Sequence, residues 1–161
     1  MTTDLPTLCP CGQINHNTAA LYNDCCAPYH RADSLPQTPE QLMRSRYSAF
    51  VTKQHSYLIQ THHADHLNGL TTALLAENDE TQWLSLQIIS SKRQENTGEV
   101  CFQAWYRDTD DIDAIHECSQ FVLENDKWFY THGEMKEAVY PKRNEACVCN
   151  SGKKYKQCCL K

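Results

Sequence analysis

The sequence predicts an α+β domain, leading helices packed on a curved four-stranded antiparallel meander, with a small sulfur-rich module at either end. Three observations lead there. Apolar residues recur at helical spacing through the first half of the chain and at a period of two through the second. Turn-forming Asn, Asp and Gly residues punctuate the second half at short intervals. Eight of the ten cysteines fall into two terminal clusters: Cys9, Cys11, Cys25 and Cys26, then Cys147, Cys149, Cys158 and Cys159. Helices followed by a run of strands make an α+β arrangement, and 161 residues with 40% apolar and 22% charged content hold one ordinary domain with appendages. The expected division is 1–30, 31–141 and 142–161.

The central domain begins after Pro36. Thr38-Pro39-Glu40-Gln41 reads as a helix start, with Thr38 as N-cap, Pro39 at the first helical position and Gln41 placed to reach back as in a capping box. Met43, Tyr47, Phe50 and Val51 continue at helical spacing. A bend near His55-Ser56 leads to a second helix through Tyr57, Leu58 and Ile59, and a third covers Leu70 to Glu77. The period then changes. Leu84, Leu86 and Ile88 alternate with polar residues; Val100, Phe102, Ala104 and Tyr106 alternate with Cys101, Gln103 and Trp105; Phe121 and Leu123 follow, and Trp128 to Thr131 closes the run. Turns are expected at Asn96-Thr97-Gly98, at Asp108 to Asp111 and at Asn125-Asp126.

The terminal segments are too short to bury cores of their own, so something else must fold them, and a metal ion is the obvious candidate. Adjacent thiols such as Cys158-Cys159 disfavour disulfides, which would close a small strained ring. Four soft thiolates suit zinc, and a tetrahedral sulfur site also accommodates iron. In the C-terminal cluster Cys147 and Cys149 come from one turn, Asn150-Ser151-Gly152 reverses the chain, and Lys153 to Gln157 starts the short helix that delivers Cys158 and Cys159. Charge separates the modules. Lys142, Arg143, Lys153, Lys154, Lys156 and Lys161 face only Glu145, so the C-terminal module stays basic even with a loaded tetrathiolate's charge of about −2; residues 1–26 carry Asp4 and Asp24 and no Lys or Arg.

Cys147-x-Cys149, eight residues, Cys158-Cys159, with Asn-Ser-Gly-Lys-Lys-Tyr-Lys between, resembles the SEC-C motif, the metal-binding tail of the translocation ATPase SecA. The resemblance implies Cys147, Cys149, Cys158 and Cys159 as ligands and a docking surface on Lys153, Lys154, Tyr155 and Lys156, since in SecA the tail is a zinc module that engages the chaperone SecB. No phosphate-binding Gly-x-x-x-x-Gly-Lys loop accompanies it. More widely the chain resembles the bacterial YchJ family, through Cys9-Pro10-Cys11-Gly12, Cys25-Cys26-x-Pro28-Tyr29, Leu42 to Phe50 (Leu-Met-Arg-Ser-Arg-Tyr-Ser-Ala-Phe), and Phe121 with Trp128-x-Tyr130-x-x-Gly133. That resemblance implies a SEC-C-like module at both ends and a cystatin-like, or nuclear-transport-factor-two-like, cone between. One departure stands out: thirteen residues separate Cys11 from Cys25 where the compact motif has eight, so a loop insertion is expected around Asn15 to Thr18, and His16 or His30 stands as an alternative fourth N-terminal ligand.

Other candidates are weaker. His62, His63 and His66 include a helical i, i+4 pair but read as an exposed helix end or loop. Cys101 and Cys118 read as small buried strand residues, with a redox-sensing pair as the alternative. On one strand, alternation sends Glu117 and Ser119 to one face and His116 to the other, so no triad is implied. Arg44 and Arg46 read as structural rather than anion-binding. Trp83, Trp105 and Trp128 lack the interleaved Lys and Arg of a nucleic-acid platform, which excludes DNA and leaves the basic tail, at most, for the ribosome. The first residues lack a signal peptide's basic and apolar regions, and no run approaches the roughly eighteen apolar residues of a membrane span. The expectation is therefore a cytoplasmic zinc-binding adaptor whose C-terminal module docks a protein partner, SecB-like or ribosomal. The competing expectation is a central domain that binds or transforms a small molecule.

Overall fold

A computed structural model describes residues 7–160; Asp4, Lys161 and the first six residues of the N-terminal module lie outside them. The chain enters through a two-residue hairpin, β1 (Ile14–Asn15) against β2 (Thr18–Ala19). Its turn residues His16 and Asn17 take φ of 51° and 63°, the left-handed pair that a tight two-residue reversal demands. This hairpin is the insertion expected between Cys11 and Cys25. A 3-10 turn (Tyr22–Asp24) and the short α1 (Ala27–His30) complete the module.

The helix start holds as expected. In α2 (Pro39–Thr52) the Gln41 N–H donates to Thr38 Oγ1 at 3.1 Å, and the Gln41 side chain accepts from the Gln37 N–H at 2.7 Å, one residue further back than a capping box. Lys53, at φ 61°, ends the helix. α3 (His55–Gln60) and α4 (Thr72–Glu77, capped by Thr71) follow; Leu70 and Thr71 lie before α4 rather than in it.

The four long strands are β3 (Gln82–Gln94), β4 (Thr97–Asp108), β5 (Asp111–Glu124) and β6 (Lys127–Lys136), an antiparallel meander in sequence order. Val100, Phe102, Ala104 and Phe121 face the helices and pack with Leu42, Met43, Tyr47 and Leu58. Full burial of Leu42, Leu58 and Phe121 contributes roughly 2–3 kcal/mol each. A β-bulge corrects one expectation. The register shifts between Trp83 and Ser85, so Leu84 does not share a face with Leu86 and Ile88: those two and Trp83 meet the helix-side core, whereas Leu84 joins a second cluster across the sheet.

That second cluster explains why β4 is buried on both faces, with Val100 at 0%, Gln103 at 2% and Trp105 at 1% exposure. After β6 the chain folds back across the sheet. Gln103 clamps it, donating from Nε2 to the Val139 carbonyl (3.2 Å) and accepting on Oε1 from the Val139 N–H (2.7 Å). The Tyr140 ring lies edge-on to Trp105, with centroids 5.6 Å apart. On this same sheet Cys101 and Cys118 sit directly opposite in the β4–β5 ladder and are joined as a disulfide. They are a bonded pair rather than separate core thiols; the partner is set by strand register, which motif spacing does not encode.

Candidate metal centres

Each terminal cluster gathers four sulfurs within 4.8 Å of one another. In the N-terminal site Cys9 and Cys11 come from the turn before β1, whose Gly12 takes φ 73°, and Cys25 and Cys26 from the junction of the 3-10 turn with α1. The Cys11 and Cys25 sulfurs are 3.6 Å apart and those of Cys25 and Cys26 are 4.0 Å apart. Neither histidine takes a sulfur's place. His16 is exposed at the hairpin tip. His30 has both ring nitrogens engaged: Nε2 donates to the Ser45 carbonyl at 2.8 Å, leaving Nδ1 to accept from the Tyr22 hydroxyl at 2.6 Å. Burial pulls its pKa below the ordinary histidine value, which keeps that neutral tautomer.

This module is bolted to α2. Arg44 donates from Nη1 to the Cys11 carbonyl at 2.8 Å, the Cys9 sulfur lies 3.5 Å from Ser48 Oγ, and Cys9, Cys11, Cys26 and Tyr22 belong to the same apolar cluster as Leu42 and Tyr47. Arg44, which also pairs with Glu40 at 3.6 Å, therefore has the structural role expected of it.

The C-terminal site rests on the other side of the sheet. A bridge between Ala146 and Lys154, the Cys147 N–H on the Lys153 carbonyl (2.9 Å), and positive φ at Asn150 (62°) and Gly152 (80°) form the turn that presents Cys147 and Cys149. The 3-10 turn Tyr155–Gln157 then delivers Cys158 and Cys159. The Cys149 and Cys158 sulfurs are 3.4 Å apart and those of Cys158 and Cys159 are 3.9 Å apart. Cys147 packs with Trp105, Ile112 and Tyr155, and Ser85 Oγ donates to the Val148 carbonyl at 2.6 Å.

Both sulfur sets fit an ion. Four ligands at about 2.3 Å in a tetrahedron have mutual separations of about 3.8 Å, close to the distances of 3.4 to 4.0 Å in the two clusters. All eight thiols are free of disulfides. Thiols this close compete for ionisation, which a cation would resolve. In the N-terminal set, hydrogen bonding to Cys11 drives Cys9 far below the ordinary thiol range and Cys25 and Cys26 far above it. In the C-terminal set, burial pushes Cys149 up, but hydrogen bonds from Ser151 and Cys158 outweigh it and bring the thiol down to about 6. Burial and the Cys147 contact push Cys159 up to about 12 against the pull of Arg107. A divalent ion holds all four as thiolates at once.

The cation against the C-terminal sulfurs is Arg107 of β4, whose Nη2 lies 3.5 Å from the Cys159 sulfur. The motif's spacing does not reveal it, because Arg107 is forty residues away and arrives only through the packing of module on sheet. Lys153, Lys154 and Lys156 are exposed, and none has a carboxylate within 4.0 Å among the described residues. Tyr155 is different. It is 8% exposed and packs under the module, which removes it from the expected docking surface.

The remaining candidates do not converge on a metal. His62 Nε2 bonds the His66 carbonyl at 2.9 Å, while His63 Nε2 bonds Glu124 at 3.0 Å. His116 points away from Glu117 and Ser119, with Nδ1 on the Glu137 carbonyl at 2.7 Å. Among the described residues no helix is long and apolar enough to cross a membrane.

A model of the YchJ middle NTF2-like domain matches residues 38–133, and one of the SEC-C motif matches residues 143–161. A UPF0225 protein of Shewanella sp. (strain MR-7) is 47% identical, covering 95% of this chain and 96% of the relative. One from Vibrio cholerae is 39% identical over 94% of this chain and 98% of its own length. Among solved structures, a SEC-C motif containing protein from Psychrobacter arcticus superposes with a TM-score of 0.70 at 30% identity, covering 95% of both chains. A SEC-C motif containing protein from Rhodopseudomonas palustris, solved in solution, gives 0.72 at 29%, covering 81% of this chain and 99% of its own.

Proposed function

This chain belongs to the UPF0225 family and joins a YchJ middle NTF2-like domain to a SEC-C motif, and on that premise we propose that it is a cytoplasmic zinc-binding adaptor that docks an acidic surface of its partner through its C-terminal module. The observation that carries this reading is the pair of four-sulfur clusters, each with tetrahedral spacing and each fixed to a different face of one domain. Zinc is favoured over iron because closed structural sites of four thiolates are its habitual setting. The eight clustered thiols are free of disulfides and so available for the ions, whereas Cys101 and Cys118 are joined on the sheet.

The division of labour follows from packing and charge. The N-terminal module is wedged into the main core and serves as a clamp on α2. The C-terminal module presents Lys153, Lys154 and Lys156 exposed around the chain reversal, with no carboxylate within 4.0 Å of them among the described residues. Purified SecB and purified 70S ribosomes, each tested by surface-immobilised binding, are the two probes. The lysine-to-glutamate triple variant should retain its metal and lose capture at least about tenfold. Capture that survives in that variant, or no capture of either probe by the native protein, overturns the docking assignment.

A further inference from the structure

A cavity of about 250 Å³ lies between α2, the segment after α3 that carries His62 and Leu70, and the helix-side face of the sheet, and no cysteine lines it. Two of the four segments that carry the family resemblance contribute to it. Met43, Arg46, Tyr47 and Phe50 project from α2 at the i, i+3, i+4, i+7 spacing of one helix face, and Tyr130 enters from β6. Gly133 serves it indirectly: a Cβ there would collide with the Glu117 carboxylate, so the glycine leaves room for that side chain on the neighbouring strand.

The walls are divided. Tyr47, Phe50, Trp83 and Phe102 form an aromatic end, with Trp83 edge-on to Tyr47 at 5.8 Å. The other end is polar and charged. Arg46 is 6% exposed; its Nη1 donates to the Leu58 carbonyl (2.8 Å) and Thr61 Oγ1 (2.7 Å), and its guanidinium lies 4.8 Å from the centre of the Tyr130 ring. Burial lowers its pKa to about 10, so it remains a cation at neutral pH. Among the described residues no carboxylate lies within 4.0 Å of it and no acceptor takes its Nε or Nη2 protons. Glu117 across the cavity acts on this cation only from beyond contact distance, so a ligand anion in contact with the guanidinium would compensate the buried charge more fully.

Two acceptors complement it. Glu117 Oε1 receives the Ser119 hydroxyl (2.8 Å) and the Tyr130 hydroxyl (2.9 Å), and no hydrogen bond takes up its second oxygen. His62 uses Nε2–H on the His66 carbonyl, which leaves its buried Nδ1 a bare acceptor without a partner among the described residues. One cation and two acceptors at one end, with aromatic walls at the other, match a molecule whose head bears a carboxylate beside an ammonium group and whose body is apolar.

We propose that this cavity binds an apolar α-amino acid, its carboxylate on Arg46, its ammonium on Glu117 and His62, and its side chain between Phe50, Trp83 and Phe102. The volume is below the roughly 300–1,000 Å³ of drug-sized sites and suits a ligand of this scale. The test titrates the full-length, metal-loaded protein with L-phenylalanine, with backbone and indole amide shifts as the readout. Saturable binding at a Kd of about 1 mM or tighter is expected, with shifts at Trp83 and Arg46. The analogues 3-phenylpropionate, which lacks the ammonium, and phenethylamine, which lacks the carboxylate, should each bind at least about tenfold more weakly, the loss of one charge-assisted contact. Arg46→Met should abolish binding. Because that substitution also removes a helix tie, the isosteric Glu117→Gln is the second variant; it should weaken L-phenylalanine about tenfold while leaving 3-phenylpropionate unchanged. No saturation up to about 10 mM, equal affinity for the three probes, or shifts confined to another face would each overturn the assignment.

Discussion

Removing the phenol ring of Tyr155 separates two roles for that residue, a docking contact for a partner and an anchor for its own module. The ring is 8% exposed and lies against Trp105, Ile112 and Cys147. Burial of about 150 Å² of aromatic side chain at about 25 cal/mol per Å² contributes about 4 kcal/mol. Part of that area is already covered in the unfolded chain, which leaves about 3 kcal/mol for Tyr155→Ala. Zinc binding by a small four-ligand peptide is worth about 10–16 kcal/mol, far more than the lost contact. The variant should therefore keep both ions while its C-terminal module lifts from the sheet. For a chain of this length the loss lowers Tm by about 6–12 °C if module release and unfolding are coupled. Trp105, 1% exposed in the native protein, should become accessible to acrylamide quenching, and the Val139 amide, held on Gln103 Oε1 at 2.7 Å, should exchange faster. Unchanged quenching and exchange in a variant that retains both ions would refute the anchoring role.

Two further outcomes follow from the same packing. Cys26→Ser and Cys158→Ser should each lose one ion but differ in reach: Cys26 lies in the main core with Leu42 and Tyr47, so its loss should lower the stability of the whole domain, whereas Cys158→Ser should unfold only the tail; urea unfolding followed by circular dichroism distinguishes them. Burial, with Arg46 nearby, holds the His62 pKa below its ordinary value of about 6.5. Its contribution is thus complete above about pH 6.5 and is lost as pH falls toward the folded-state value, because the unfolded chain takes up the proton first. Urea midpoints measured with zinc in excess should fall from pH 7 to about 5.5, and His62→Gln should flatten that fall.

Much of this architecture is legible before any coordinates. Thr38-Pro39 sets the start of α2 because its cap is local, and the strand boundaries follow from alternation and from turn residues such as Asn125-Asp126. The cysteine clusters are legible because their spacing is a covalent fact of the chain. What escapes the sequence is non-local. A single bulge sends Leu84 to the far face, and periodicity cannot register one inserted residue. Cys101 meets Cys118 only through strand register, and Arg107 meets Cys159 only because the tail folds back on the sheet. The burial of Tyr155 has the same origin: the motif reads as a free module, whereas here it is seated on Trp105. Within the Leu42–Phe50 segment Arg46 reads as structural, but its placement against Tyr130, with no carboxylate in contact among the described residues, depends on how α2 lies across the sheet.

Metal content bears most directly on the whole account. Native mass spectrometry of the protein purified under reducing conditions should give a mass equal to one chain plus two zinc ions, with all eight clustered cysteines shielded from alkylation until a chelator is added. A metal-free chain whose two ends nevertheless remain folded and alkylation-resistant would contradict it.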